Sequence, residues 1–334
     1  MNFNSINLNG KSILITGGTG SFGTEFIKIV LSNFKPKRLV IYSRDEKKQH
    51  DLSIKYNPQK YKCLRFFIGD VRDSERLEMA MKNIEIVVHA AAMKHVPTAE
   101  YNPFECIKTN VYGAENIVRA SLKNKVKKII NISTDKACNP INLYGASKLA
   151  AEKIFIAANN LTGKLSTKFS VVRYGNVLGS RGSVVNVWKD LIKKNSKEIP
   201  ITDPEMTRFW IPIHEGVNFV LNCLKRMHGG EIFVPKIPSM KLSNFANALY
   251  PKIKKKIIGI RPGEKLHEVL INSDDYKMTI EMKDSYIIYS NIITTNEKDL
   301  KRKNIKKVKN NFIYQSNTNK KQLDINQLKK LIKK

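Results

Sequence analysis

The apolar run Lys11-Ser-Ile-Leu-Ile-Thr16 passes directly into Gly17-Gly18-Thr19-Gly20-Ser21-Phe22-Gly23, and then into Thr24-Glu-Phe-Ile-Lys-Ile-Val-Leu31. Few folds accommodate such a passage. The first run has the length and apolar character of a buried strand, and the last has the periodicity of an amphipathic helix. Glycines at 17, 20 and 23 permit a tight turn, close approach of a ligand to the backbone, and close packing of helix on strand. The helix N-terminus then offers free N–H groups and the positive end of a dipole. A lone glycine triplet is a weak signal. Set between strand and helix, it predicts a dinucleotide pyrophosphate cradle spanning Thr16 to Gly23.

Strand and helix patterns alternate from residue 10 to about 175, which predicts an α/β fold: a Rossmann-type, doubly wound parallel sheet. Arg38-Leu-Val-Ile-Tyr42 is the second strand, and Ser43-Arg44-Asp45-Glu46-Lys47 follows it. An acid at this tip binds a ribose 2′-hydroxyl, whereas an arginine and a small hydroxyl receive a 2′-phosphate. Ser43, Arg44 and Lys47 favour NADP, and Asp45 keeps NAD open. Arg65-Phe-Phe-Ile-Gly-Asp70-Val71 ends in an acid expected near the adenine. Glu85-Ile-Val-Val-His-Ala90 runs into Ala91 and Ala92, whose small side chains let the chain pass close to a cofactor, and into Lys94, a candidate hold on a substrate phosphate or hydroxyl. For His95 a place in a solvated loop is as good a reading as any role.

Lys128-Ile-Ile-Asn-Ile-Ser133 is a further strand, so Ile132 and Ser133 approach its C-terminal tip and Thr134-Asp135-Lys136 lie at it. Ligands bind at that edge of open α/β sheets. Tyr144 and Lys148 are one helical turn apart and leave one face of a helix. A lysine ammonium beside the phenol is expected to lower its pKa, making a base for a sugar hydroxyl. Alone, the Tyr-x-x-x-Lys spacing is no more than an amphipathic helix with a solvated lysine. Asp135 and Lys136 form a second acid/base pair that a simple dehydrogenase does not need. An enzyme that must also remove a carbon-bound proton and expel water does.

The 334 residues suffice for one large α/β domain with a smaller lobe. Residues 1–182 are expected to form the cofactor domain and residues 183–334 mainly a C-terminal substrate-binding lobe, interleaved with it in part. Ser170-Val-Val-Arg173-Tyr174, another strand, leads into the glycine-rich 175–182, where the chain leaves the cofactor domain. Two polar islands, 206–210 and 261–268, contain Arg208 and Arg261, candidate clamps for a diphosphate. Seen alone, each is an ordinary surface loop. No apolar run reaches the ~20 residues of a membrane helix, and Met1 to Asn7 carries neither a basic region nor an apolar signal core; a cytoplasmic location without membrane insertion is expected. The scattered Cys63, Cys106, Cys138 and Cys223 suggest neither disulfides nor a metal site. The net charge of +30, from 59 basic and 29 acidic residues, invites a polyanion-binding reading. Lysine is spread along the whole chain, however, and no nucleic-acid motif or aromatic platform accompanies it.

Together these segments resemble the extended short-chain dehydrogenase/reductase superfamily. More narrowly they resemble the inverting UDP-N-acetylglucosamine 4,6-dehydratases of the pseudaminic acid pathway. The motifs are TGGTGSFG (16–23), YSRDE (42–46), HAAAMKHVP (89–97), ISTDKA (132–137), YGASK (144–148), RYGNVLGSRGSV (173–184), MTRFW (206–210), GGEIFVPKIPSM (229–240) and RPGEKLHE (261–268), and they cover nearly the whole chain. The resemblance implies resident NADP, UDP-N-acetylglucosamine as substrate and a homo-oligomer. It implies that Tyr144, with Lys148 and Thr134, takes the 4-hydroxyl proton. Lys136, in a partly neutral form, is implied as the C5 base and Asp135 as the acid for the C6 oxygen. Lys94, Asn176, Val177, Arg181, Arg208, Arg261 and Glu264 are implied on the substrate. A 4-epimerase on the same fold would leave Asp135-Lys136 unexplained, and a binding protein without turnover would have no need of Tyr144, Lys148 and Asp135 together.

Overall fold

A computed structural model describes residues 6–289 and 306–328. The N-terminal segment before residue 6 and part of the lysine-rich stretch 298–334 lie outside them. In the first half the elements are β1 (Ser12–Thr16), α1 (Ser21–Asn33), β2 (Arg38–Ser43), α2 (Glu46–Lys55), β3 (Leu64–Ile68), α3 (Ser74–Ala80), β4 (Ile86–His89), α4 (Val96–Tyr101), α5 (Pro103–Ile107), α6 (Gly113–Lys123), β5 (Lys128–Thr134), α7 (Leu143–Ala157) and β6 (Lys168–Tyr174). There follow β7 (Asn176–Leu178), α8 (Val184–Lys193), β8 (Glu198–Ile201), β9 (Thr207–Pro212), α9 (Ile213–Arg226), β10 (Glu231–Pro235), β11 (Ser239–Lys241), α10 (Leu242–Leu249), β12 (Lys254–Ile257), β13 (Val269–Ile271), β14 (Thr279–Glu281), β15 (Ser285–Tyr289), β16 (Lys306–Lys307) and β17 (Tyr314–Gln315).

A ten-stranded sheet runs in the order β16-β14-β15-β10-β6-β5-β4-β1-β2-β3. From β3 to β10 neighbouring strands are parallel, and β15, β14 and β16 add an antiparallel edge. Every residue of β1 and β4 is buried, as continuous apolar strands covered on both faces should be. Strand order reverses between β1 and β4, so their connections leave in opposite directions and open a crevice at the C-terminal tips. The register sets Thr16 beside His89 and Tyr42, and Thr134 beside Tyr174, along that edge.

The second half of the chain returns to this sheet. The apolar Ile232-Phe-Val234 of β10 is buried beside β6 and shares its core. A second core forms around Trp188, Trp210 and Phe245. Trp210 stacks on Phe245 with ring centroids 4.3 Å apart, and the Trp188 indole N–H donates to the Pro200 carbonyl. This core carries a small sheet, β11-β9-β7, whose strand β7 brings Asn176 and Val177 to the crevice. Among the described residues no helix is long and apolar enough to cross a membrane.

Candidate active site

A cleft of about 750 Å³ lies along the strand tips, within the size range of small-ligand sites. At its floor Gly17 adopts a φ of +64°, and a Cβ there would stand 2.9 Å from the backbone of Ala90 and Ala91. Only glycine fits that approach. A Cβ on Gly23 would lie 2.4 Å from the Gly18 carbonyl oxygen, which is how closely α1 packs on the turn. Gly20 caps α1 without a side-chain bond, and no acid occupies the first turn. Ser21 and Phe22 line the cleft, so the helix N-terminus is open to an anion. These residues fit a dinucleotide pyrophosphate.

Of the other predicted cradle residues, Thr16, Gly18, Thr19 and Gly23 lie behind the cleft lining. The Thr16 hydroxyl accepts from the Ala90 and Ala91 amides, both at 3.2 Å, and bonds His89 Nδ1 at 2.8 Å. It thereby ties the β1 tip to the β4 tip. Burial, with the nearby Lys148 charge, pushes His89 down to about 3, so it is a neutral strut.

At the β2 tip, Ser43 Oγ bonds Thr19 Oγ1 at 2.7 Å, and Ser43 and Arg44 line the cleft. Asp45 is committed elsewhere: it caps α2 by accepting from the Lys48 amide at 3.0 Å and pairs with the Lys48 ammonium. Those bonds hold its carboxyl below the usual range. Lys47, expected as a third contact, lies outside the cleft lining, and Lys48 lies within it. Lys47 pairs with Asp51 at 3.6 Å on the outer face of α2, whereas Lys48, three residues past the cap, faces the cleft. Burial opposes ionisation of Asp70, but the Arg72 hydrogen bonds and the Arg44 charge outweigh it and keep Asp70 ionised. Asp70, Val71, Ala90, Ala91, Ala92, Ile132 and Ser133 all line the cleft.

The chemistry gathers where β5 ends. Thr134 closes the strand, and Asp135-Lys136-Ala137 make one 3₁₀ turn. A Cβ on Gly145 would come within 2.2 Å of the Lys136 carbonyl, so α7 sits directly against that turn. Asn142 caps α7 by accepting from the Gly145 amide at 2.7 Å and donates to the Gly263 carbonyl at 2.8 Å. Tyr144 and Lys148 then enter the cleft together with Thr134, Asp135 and Lys136.

Two electrostatic expectations are corrected here. Burial raises the Tyr144 phenol to about 12, and the cation that opposes this is Lys136, aided by a hydrogen bond with Thr134. Lys148, assigned that task from spacing, is itself buried, and desolvation lowers it to about 8 against the pull of Glu152. The pairing of Lys136 runs against the partly neutral form expected of it. Burial favours its neutral form, but Asp135 Oδ1 at 3.1 Å and Glu268 Oε1 at 3.0 Å outweigh burial and hold the ammonium. Burial raises the Asp135 carboxyl, with Lys136 opposing. Asp135 Oδ1 also accepts from the Thr134 hydroxyl at 2.9 Å, while Asp135 Oδ2 and Glu268 Oε2 are buried without a hydrogen-bond partner.

Sequence reasoning gave Glu268 no role. The usable signal is an acid immediately before the apolar Val269-Leu-Ile271, a strand end abutting a polar island.

Over the cleft, Lys94 Nζ donates to the Arg181 carbonyl at 2.7 Å. The Arg181 amide donates to Ser21 Oγ at 3.0 Å and its guanidinium to the Thr19 carbonyl at 3.2 Å. This loop therefore crosses the glycine-rich turn, with Asn176 and Val177 below it in the lining. His95 also lines the cleft. The other two predicted arginines are not brought in. Arg208 is buried, donating to the Thr207 and Leu266 carbonyls and lying 3.8 Å from Glu268. Arg261 is 59% exposed and pairs with Glu264 at 2.9 Å, outside the lining.

The family model described as polysaccharide biosynthesis protein matches residues 13–290. The UDP-N-acetylglucosamine 4,6-dehydratase (inverting) of Campylobacter jejuni subsp. jejuni serotype O:23/36 (strain 81-176) is 58% identical over 316 residues, covering 93% of this chain and 94% of its own. A UDP-glucose 4-epimerase of Rickettsia bellii (strain OSU 85-389) is 45% identical over 285 residues, covering 83% and 82%. Among solved structures, Pen from Bacillus thuringiensis superposes with a TM-score of 0.88 at 35% identity, covering 98% of this chain and 99% of its own. The dTDP-glucose 4,6-dehydratase DesIV from Streptomyces venezuelae, solved with NAD and TYD bound, shares the fold at a TM-score of 0.66 and 20% identity, covering 76% and 86%.

Proposed function

The chain belongs to the polysaccharide biosynthesis protein family, on the extended short-chain dehydrogenase/reductase fold, and from that premise we propose that it dehydrates UDP-N-acetylglucosamine across C5 and C6, inverts C5, and retains NADP as its resident cofactor. The product is the 4-keto-6-deoxy sugar of L-arabino configuration, the opening step of a pseudaminic acid route in the cytoplasm. The observation that carries the reading is the hydrogen-bonded Asp135–Lys136 pair at the β5 tip, in one cleft with Tyr144 and Lys148. The dehydratase relative at 58% identity supports the substrate. Ser43, Arg44 and Lys48 around the β2 tip, with Asp45 spent on its cap, support the 2′-phosphate.

NADP held by the glycine-rich turn and the β2 tip would supply the hydride chemistry at C4 and C6. The protein's residues move the protons. Tyr144 Oη receives the 4-hydroxyl proton, with Thr134 holding the phenol. The 4-keto group acidifies the C5–H, whose proton passes to Lys136 Nζ while Asp135 gives its proton to the departing C6 oxygen, which leaves as water. That step requires a neutral amine and a neutral carboxyl. An ammonium–carboxylate pair holds the same number of protons. One proton transfer along the 3.1 Å Lys136–Asp135 bond interconverts the two states, and burial of Asp135 favours that transfer. C5 is reprotonated from the opposite face.

Lys94 and Arg181 are the contacts we assign to the substrate from their place over the cleft. Tyr101 and Phe104, 88% and 77% exposed on α4 and α5, support assembly into a homo-oligomer. Incubation with UDP-N-acetylglucosamine and no added reductant, followed by NMR, tests the reading. A dehydrated keto-sugar supports it. A C4 epimer moves the assignment to the epimerases, which the Rickettsia relatives favour, and no product returns it to a binding protein.

A further inference from the structure

Glu268 is buried, 1% exposed, yet belongs to a polar island that the proposed reaction leaves without a task. It is held from three sides. Its amide donates to Ser316 Oγ at 2.9 Å, and its carbonyl accepts from the Ser316 amide at 2.9 Å. Ser316 Oγ is in turn 2.6 Å from Thr207 Oγ1, which bonds His267 Nδ1 at 2.9 Å. Its carboxylate touches Lys136 Nζ at 3.0 Å and lies 3.8 Å from Arg208 Nε. Beside it, Lys265 Nζ is fixed on the Cys138 carbonyl at 2.6 Å. The loop before β13 therefore reaches across to the turn after β5, and the segment at β17 pins it there.

A carboxylate desolvated this far is costly unless it is paired. Here it is paired with the side chain that the elimination uses. Lys136 has a flexible four-carbon stem. Asp135, its neighbour in sequence, fixes the ammonium from one side only. Glu268 supplies the second point.

Resting on the dehydratase reading, we infer that Glu268, seated on Arg208 and Ser316, is a positioning residue that aims Lys136 Nζ at the substrate's C5 and governs whether the shared proton rests on Lys136 or Asp135. The charged and titratable groups facing Lys136 are Asp135 on its own turn, Glu268 and behind it Arg208 and Lys265 from the lobe, and Tyr144 from α7. Of the two carboxylates, Glu268 is the one whose removal leaves the proposed acid in place. A carboxylate within hydrogen-bond reach of an ammonium favours its charged form, so Glu268 works against early loss of the Lys136 proton while fixing where the amine will be.

The test is E268Q, which keeps shape and a hydrogen-bond acceptor but removes the charge. Solvent-deuterium entry at C5 is followed against pH, beside the 340 nm signal of cofactor reduced by C4 oxidation. The rising limb of the C5 exchange profile is expected to move to lower pH by about one unit or more. The 340 nm signal and KM should stay within about twofold of wild type. Should E268Q not fold, E268D decides. It retains the charge but withdraws it by one methylene, so C5 exchange should fall about 10²-fold, as expected of an ~1 Å misplacement, with the 340 nm signal kept. An unmoved limb in E268Q, parallel loss of both signals, or full exchange in E268D would overturn the inference alone. A wild type that forms no dehydrated product overturns the dehydratase reading, and the inference with it.

Discussion

Replacing Lys136 by alanine removes an ammonium that bridges Asp135 and Glu268, whose side chains are 1% and 2% exposed. Glu268 keeps Arg208 at 3.8 Å, but Asp135 keeps only the Thr134 hydroxyl, at 2.9 Å, among its side-chain bonds. Leaving one partner of a buried pair uncompensated costs about 3–5 kcal/mol. Asp135 can escape that cost by taking up a proton, which fixes the sign of the pH dependence. Its folded pKa is already raised by burial, and losing Lys136 raises it further. A carboxyl with a raised folded pKa supports the fold fully below its unfolded value of about 4 and loses that support as pH climbs through the folded value. The stability gap between wild type and Lys136→Ala should therefore be small near pH 5 and widen by up to about 1.4 kcal/mol per pH unit towards pH 8. Urea unfolding at pH 5, 6.5 and 8 measures it. Where the variant is folded, it should still reduce bound cofactor transiently but neither dehydrate substrate nor admit deuterium at C5. A gap independent of pH would refute the electrostatic argument. Deuterium at C5 in the product of a well-folded variant would refute the assignment of the base.

The first strand, turn and helix were legible because each local preference agrees with the tertiary outcome: an apolar run buried on both faces, glycines where a Cβ would collide, and a helical period that packs on the sheet. Tyr144 and Lys148 were legible for a similar reason, since helical spacing alone puts them on one face. What was not legible depends on contacts made at a distance. Whether Lys47 or Lys48 faces the cleft turns on Asp45 being the cap, a choice of one residue that rotates the whole helix face. Electrostatics could not be read from spacing because desolvation decides it, and tertiary packing sets how far Lys148 is buried and Tyr144 half-buried. Arg208 was expected on the substrate, and its inward turn was not legible because its partner Glu268 arrives on another element. The β10 strand illustrates the same limit: Glu231-Ile-Phe-Val-Pro235 was legible only as part of the motif 229–240, and the fold shows that it joins the first sheet.

Tyr144→Phe removes the phenol oxygen and leaves the ring, so substrate should still bind while turnover falls by at least the ~10²-fold typical of a lost acid/base; steady-state kinetics with a binding titration separates the two, and near-normal turnover moves the role elsewhere. Arg44→Ala should weaken NADP by the ~1.5–3 kcal/mol of a charge-assisted bond and NAD far less, with Lys48→Ala acting in the same direction and Lys47→Ala leaving both titrations unchanged. A last prediction concerns what lies beneath the site. Arg173 on β6 donates to both Glu152 carboxylate oxygens, at 3.0 and 2.6 Å, and to the Leu270 carbonyl at 2.9 Å, with side chains 4% and 0% exposed. This pair ties α7, one turn beyond Lys148, to β6 and to the strand that follows Glu268. Arg173→Met alone strands a buried carboxylate and should cost about 3–5 kcal/mol in chemical denaturation. Replacing both partners by apolar groups removes the stranded charge with its cause, so Arg173→Met combined with Glu152→Leu should recover most of that loss. The double variant also lacks the charge that props up Lys148, so Lys148 should titrate lower even though the fold is restored. If the two substitutions instead add in stability, the pair is not coupled, and α7 is held by its apolar face alone.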